Sequence, residues 1–237
     1  MDAMYRHQRH IYDLSRKFYL FGRDRLLAGL PAAPGATVLE MGCGTGRNLV
    51  KLARLAPSAR LYGVDVSSVM LATAAASLGR AGLSDRVRLA QAGGQGFDPI
   101  AGFGLARFDT IYFSYVLSMI PGWRVVVERA LDQLAPGGTL AVVDFGDQLE
   151  GPAWRRRILL GWLGLFDVHP RAEIEQGLRE IAGGLGGLVR DEDVFDGYAY
   201  ILAMRKPGGG EFLPKWSSAA GAEARSVTVS PIEVTQP

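Results

Sequence analysis

The sequence predicts a doubly wound α/β domain built on a seven-stranded, mostly parallel sheet. Three observations carry that expectation. Beyond Pro31 and Pro34, short runs rich in β-branched residues alternate with stretches of helical periodicity. A buried-strand pattern runs straight into a glycine turn, Glu40-Met41-Gly42-Cys43-Gly44-Thr45-Gly46, that opens a helix. The last apolar run follows its predecessor too closely for a crossover helix, so the sheet should end in an antiparallel pair.

Taken in order, residues 1–30 place Arg6, Arg9, Arg16, Lys17, Arg23 and Arg25 among Tyr5, Tyr12, Phe18, Tyr19 and Phe21, and are expected to form a helical cap over a ligand cleft. Parallel strands are expected at 37–40, 60–64, 87–90, 108–112 and 139–143, and helices at about 46–55, 68–78, 123–134 and 171–182. Ala135-Pro136-Gly137-Gly138 reads as a stop and turn. Residues 188–195 and 197–205 should form the closing hairpin. Between them and the fifth strand, Trp154, Ile158, Trp162 and Leu165 fall on one helical face beside Arg155, Arg156 and Arg157, the pattern of an interfacial amphipathic helix. The expected division is a cap at 1–30, a ligand-binding domain at 31–206 and, from its Gly, Ser, Ala and Pro content, a disordered tail at 207–237.

Composition narrows the class. With 237 residues and 48% hydrophobic content the chain fits one domain with additions. A net charge of +2 gives no basic footprint for nucleic acid. Cys43 is the single cysteine, which excludes an intramolecular disulfide and suits a reducing compartment. The longest apolar run, 158–166, is far below the roughly 18 residues of a membrane span, so a soluble or peripheral protein is expected.

The glycine turn narrows the ligand. Gly42, Gly44 and Gly46 allow positive φ and close approach, and the helix opening near Thr45 is expected to turn free N–H groups toward a ligand. A dinucleotide fingerprint needs a third glycine where this chain has Arg47, and Glu40 would repel a pyrophosphate while suiting a cationic ligand. Asp65 ends the second strand nineteen positions after Gly46, placed to accept from ribose hydroxyls, and Met70 is placed to pack on adenine. This pattern resembles the first motif of the class I S-adenosylmethionine-dependent methyltransferases, with a Rossmann-like fold. The resemblance implies a cofactor set of Tyr19, Glu40, Gly42, Cys43, Gly44, Thr45, Gly46, Asn48, Asp65, Val66, Met70, Ala92, Gly93 and Ser114. One departure stands out. Where that superfamily commonly has an acid for the adenine amino group, this chain reads Gln91-Ala92-Gly93-Gly94-Gln95, leaving backbone groups of Ala92 and Gly93 or the amides of Gln91 and Gln95 as substitutes.

Acceptor specificity should come from the ends of strands four and five and from the cap. Ser114-Tyr115-Val116-Leu117-Ser118-Met119-Ile120-Pro121-Gly122-Trp123, Asp144-Phe145-Gly146 and the aromatic, basic N-terminal stretch closely resemble the bacterial diacylglyceryl-homoserine N-methyltransferases of betaine-lipid synthesis. That resemblance implies three successive methylations of a lipid-borne amine. Tyr115, Ser114, Asp144 and Tyr12 are the candidates for orienting the amine or taking its proton, with Tyr5 and Tyr19 beside them. Arg6, Arg9, Arg16 or Lys17 would meet the substrate carboxylate. It also implies peripheral contact with the inner face of the membrane from the cytoplasm, through the basic tryptophan stripe. His7, His10 and His169 have no metal-ligand spacing. Methylation of phosphatidylethanolamine, of a quinone or of another small molecule remains open, as does a non-catalytic cofactor-binding module.

Overall fold

The computed structural model describes residues 20–146, 171–194 and 197–208. Tyr12 and Tyr19, the other cap residues before 20, the tryptophan stripe and the segment after 208 lie outside the described residues. The sheet has seven strands: β1 (Thr37–Met41), β2 (Arg60–Asp65), β3 (Val87–Gln91), β4 (Phe108–Ser114), β5 (Leu134–Phe145), β6 (Leu188–Val194) and β7 (Ala199–Arg205). Their order is β3-β2-β1-β4-β5-β7-β6, with the first five parallel and β7 antiparallel to both β5 and β6. The expected closing hairpin is therefore present.

The helices among the described residues are α1 (Arg23–Gly29), α2 (Arg47–Leu55), α3 (Ser68–Arg80), α4 (Pro99–Phe103), α5 (Trp123–Asp132) and α6 (Ala172–Gly184), with a 3₁₀ turn at Leu117–Met119. Two of them start on a side-chain cap. Ser67 caps α3 by accepting the Met70 N–H, and Asp98 caps α4 by accepting the Ile100 N–H with Pro99 in the first turn. The strands alternate faces as a pleat requires. Val38, Leu61, Tyr112 and Val143 join Leu26, Leu49, Leu52 and Leu78 on one side, while Leu39, Tyr62, Ile111 and Val142 meet Phe103, Val126, Val127 and Leu178 on the other. Helices thus cover both faces, and the C-terminal ends of β1, β2 and β4 are left to form a site.

One sequence expectation needs correction. Ala135-Pro136-Gly137-Gly138 does not stop the chain between helix and strand, because β5 already begins at Leu134. Phe108 pairs with Leu134 and Thr110 with Thr139, so five steps of β5 oppose two of β4 and the Pro-Gly-Gly segment is a bulge inside the strand. Its backbone is satisfied from the far side of the sheet: the Gly137 N–H donates to the Lys206 carbonyl, and the Gly137 carbonyl accepts from Arg205 Nε.

Candidate cofactor and acceptor site

A cavity of about 530 Å³ opens at the C-terminal ends of β1, β2 and β4, a size that suits a nucleoside-scale ligand. Its walls include Met41, Gly42, Gly44, Asp65, Val66, Ser67, Met70, Ala92, Gly93, Gly94 and Gln95 at one end. Phe113, Ser114, Tyr115, Val116, Met119, Ile120, Pro121 and Val126 form the other.

The turn after β1 is wired inward. The Gly42 and Cys43 N–H groups both donate to the Val64 carbonyl (2.8 and 2.9 Å), Gly44 N–H to Asp65 Oδ2 (2.8 Å) and Gly46 N–H to the Cys43 carbonyl (3.0 Å). These four N–H groups close the turn itself, and the helix expected to open near Thr45 begins at Arg47. Gly42, Gly44 and Gly46 all have positive φ (74°, 52° and 74°), which lets the chain double back so tightly that its donors close the turn itself. A Cβ on Gly42 would run into Val116 Cγ2, so this glycine also lets β1 and the loop after β4 meet. With those four donors consumed, the turn itself offers a pyrophosphate few N–H groups.

Asp65 is the hub. Its Oδ2 takes the Gly44 N–H and its Oδ1 the Ser67 N–H (2.9 Å), and each oxygen keeps lone-pair capacity for a ribose hydroxyl. Nearby, Ala92 N–H donates to the Asp65 carbonyl and Gln91 Nε2 to the Val66 carbonyl, so those two donors are committed. Gly93 and Gln95 line the cavity and are left to meet the polar edge of an adenine, over buried Met70.

Five of the expected cofactor contacts stand behind the cavity wall. Glu40 is 1% exposed, and its Oε1 accepts from Asn48 Nδ2 at 2.6 Å while Oε2 has no partner. Burial pushes its carboxyl up to about 8, against the pull of the Asn48 amide, the Tyr112 hydroxyl and Arg23. Cys43 is buried against Gly63 of β2, with its thiol pushed up by burial and by the neighbouring carboxylates. Gly46 lets α2 approach α3, since a Cβ there would lie 3.0 Å from the Cβ of Ala74. Glu40, Cys43, Thr45, Gly46 and Asn48 do not line the cavity. Gly42, Gly44, Asp65, Val66, Met70, Ala92, Gly93 and Ser114 do.

At the acceptor end two expected roles need correction. Asp144 is 1% exposed and outside the cavity lining; its Oδ2 accepts the Ser118 N–H (3.2 Å) and its Oδ1 the Phe145 N–H (2.8 Å). Burial lifts its carboxyl to about 6, and the backbone hydrogen bonds hold it from rising further. Asp144 therefore anchors the 3₁₀ turn that carries Met119 and Ile120 and does not touch an acceptor. Tyr115 lines the cavity, but it is the one described non-glycine residue at positive φ (55°). That backbone directs its hydroxyl to the Phe21 carbonyl, while its ring packs edge-on to Phe145 at 4.6 Å. Its proton is committed to the cap strap. Ser114 Oγ is different: it is buried and has no partner among the described residues, on a residue that lines the cavity. Ser67 escaped the sequence reading as a site residue, although a serine three positions before Met70 is a helix-cap signal that marks this corner. Among the described residues no cluster of three potential metal ligands occurs, and no helix is long and apolar enough to cross a membrane.

The residues present fit S-adenosylmethionine: a carboxylate hub for ribose, a wall free of turn donors, and an unpartnered Glu40 oxygen behind a glycine turn. Comparison with known proteins agrees. Residues 39–140 match the family model of a methyltransferase domain. The chain is 33% identical over 117 residues to a trans-aconitate 2-methyltransferase of Azoarcus sp. (strain BH72), a match over 49% of this chain and 42% of that protein. It spans less than half the length of the curated relatives it matches first. In structure it is similar to an O-methyltransferase family protein from Burkholderia thailandensis (TM-score 0.65, 18% identity, 88% of this chain and 63% of that one). It is also similar to an RNA methyltransferase from Salinibacter ruber in complex with S-adenosyl-L-homocysteine (TM-score 0.51, 17% identity, 81% of this chain and 94% of that one). Residues 39–140 thus match a methyltransferase domain, and the chain has the fold of the class I methyltransferases, with a cavity at the ends of β1, β2 and β4.

Proposed function

We propose that this protein transfers methyl groups from S-adenosylmethionine to the amine of a lipid headgroup, of the diacylglyceryl-homoserine class, in up to three successive rounds. The observation that carries the reading is the acceptor wall: Phe113, Val116, Met119, Ile120, Pro121 and Val126 are apolar, and no cation lines the cavity among the described residues. A tricarboxylate such as the one named for the Azoarcus relative would bring three anionic groups to that wall, against the single carboxylate of a homoserine headgroup, and would need buried cations to meet them. An amine entering beside acyl chains needs an apolar, water-poor wall and one polar guide, which Ser114 supplies.

The bound cofactor brings a methyl group on a positively charged sulfur. Asp65 holds the ribose, and the apolar wall excludes water from the line of approach. In the first two rounds Ser114 Oγ would orient the incoming nitrogen by accepting an N–H, which leaves the lone pair aimed at the methyl group; the ammonium product loses its proton to water before the next round, and the tertiary amine of the third round, which has no N–H, is held by the apolar wall alone. With Asp144 walled off and the Tyr115 proton donated to Phe21, no described side chain in the acceptor wall is set up as a general base. The chemistry then rests on positioning of an amine that arrives neutral, which by itself supplies several kcal/mol of barrier lowering. The alternative is a soluble small-molecule acceptor.

Mass spectrometry decides between them. Incubation of the protein with S-adenosylmethionine and vesicles containing diacylglyceryl-homoserine is expected to give species one, two and three methyl groups heavier. Methylation of trans-aconitate or of the deacylated headgroup at equal or greater rate would overturn the lipid reading.

A further inference from the structure

The loop after β3 lacks the acid expected beside an adenine, and the side chain of Gln95 shows what that departure allows. Gln95 lines the cavity and is exposed, so it stands where the cavity meets solvent. Its amide end is turned toward the acceptor segment: a Cβ built on Gly122 would run into Gln95 Nε2. Gly122 has a negative φ (−111°), so its backbone does not demand a glycine. What its missing side chain provides is space, and the Gln95 amide occupies it.

The neighbouring glycine of the loop makes the reciprocal contact. Gly94 is not among the glycines at positive φ, and a Cβ on it would lie 2.8 Å from Val126 Cγ1 in the first turn of α5. At the far end of the same helix, Gln133 Nε2 donates to the Phe97 carbonyl at 2.9 Å. The loop after β3 is thus seated along α5, which begins where the acceptor segment ends. Its main chain stays at the adenine end, and the Gln95 side chain carries an amide toward the acceptor end.

That amide makes no hydrogen bond among the described residues, which leaves both of its N–H donors open to a ligand. Of the other polar side chains in the wall, Asp65 and Ser67 belong to the β1–β2 end, and the Tyr115 hydroxyl donates to Phe21. Ser114 and Gln95 remain at the acceptor end. A homoserine headgroup presents two polar groups, an amine and a carboxylate, and Ser114 is engaged with the first.

We propose that the Gln95 amide binds the carboxylate of the acceptor headgroup and so selects an amino acid acceptor over an amine that lacks one. The inference rests on the lipid-amine reading of the site and adds the residue that reads the second group of that headgroup. An amide donates to a carboxylate without bringing a second positive charge near the cofactor's sulfonium. Its bond to an ionised oxygen is stronger than its bond to a neutral one, so the site favours the free acid over an ester.

Initial rates at saturating S-adenosylmethionine test this, with vesicles of diacylglyceryl-homoserine or of its carboxyl methyl ester as the two acceptors. In Gln95→Leu, KM for the acid is expected to rise about tenfold and KM for the ester far less, with the main change in KM and not in kcat. Gln95→Glu sets a like charge against the carboxylate and should weaken the acid further. Gly122→Ala presses only on the far end of a flexible side chain, and it is expected to reproduce the acid-selective loss at smaller size. S-adenosylhomocysteine titration, expected within threefold of the wild type for each variant, certifies that the proteins are folded. Equal losses on acid and ester would make Gln95 a packing residue and overturn the proposal while leaving the lipid reading intact. An unchanged KM for the acid would assign its carboxylate to other residues and overturn it too. A fall in S-adenosylhomocysteine affinity as large as the rise in KM would return the amide to the adenine, with the same result. A wild type that methylates neither lipid would remove the acceptor reading, and this proposal with it.

Discussion

The two ends of the cavity are built on opposite principles. At the β1–β2 end, polar groups are wired to one another: Asp65 joins Gly44 to Ser67, Val64 receives two turn N–H groups, and Glu40 holds Asn48. At the β4–β5 end the wall is apolar and its polar groups act from behind, Asp144 on Ser118 and Tyr115 on Phe21. The first end is rigid because a charged ligand needs preplaced oxygens whose desolvation has already occurred in folding. The second end only needs to be dry and correctly shaped. The contrast separates cofactor affinity from acceptor choice, so substitutions at one end should leave the other quantity nearly unchanged.

The largest effect is expected at the hub. Asp65→Ala removes the acceptor for two backbone N–H groups as well as the ribose contact, and S-adenosylhomocysteine affinity measured by titration should fall about a thousandfold, about 4 kcal/mol. A loss below tenfold would mean that the polar end does not set cofactor affinity.

A smaller effect, in stability, comes from Glu40. Its folded-state pKa lies at about 8, raised from 4.5, so the folded state prefers the protonated form. Stability of the ligand-free protein should therefore be highest below pH 4.5 for this group and fall as pH rises toward 8, by roughly 2 to 4 kcal/mol. Glu40→Gln should flatten that decline in thermal melts between pH 5 and 8. An unaltered pH slope would show that the polar end tolerates the Glu40 charge without a ligand.

The smallest effect is expected at the apolar end. Tyr115→Phe removes one buried hydrogen bond to Phe21, at a cost of about 1 kcal/mol in stability. Cofactor affinity should stay within twofold, while KM for the acceptor rises as the strap loosens. A change in cofactor affinity larger than that in KM would join the two ends into one unit.

The division between what the chain spells out and what folding adds follows the same two ends. By itself the sequence determined the doubly wound sheet, the closing hairpin and the cofactor turn, because strand and helix periodicity, glycine at positive φ and a carboxylate ending a strand are features of a few neighbouring residues. Asp65, expected as a ligand contact for the same reason, does line the cavity. Only the tertiary structure decided that Asp144 is sealed behind the wall, that Tyr115 reaches the cap and that the Pro136-Gly137-Gly138 segment is a bulge within β5. Each of these depends on partners far apart in the chain: Tyr115 and Phe21 are 94 residues apart, Asp144 and Ser118 are 26. Local pattern fixes which way a side chain leaves its strand; which groups it then meets, and whether water still reaches it, is set by how the sheet and its covering helices pack.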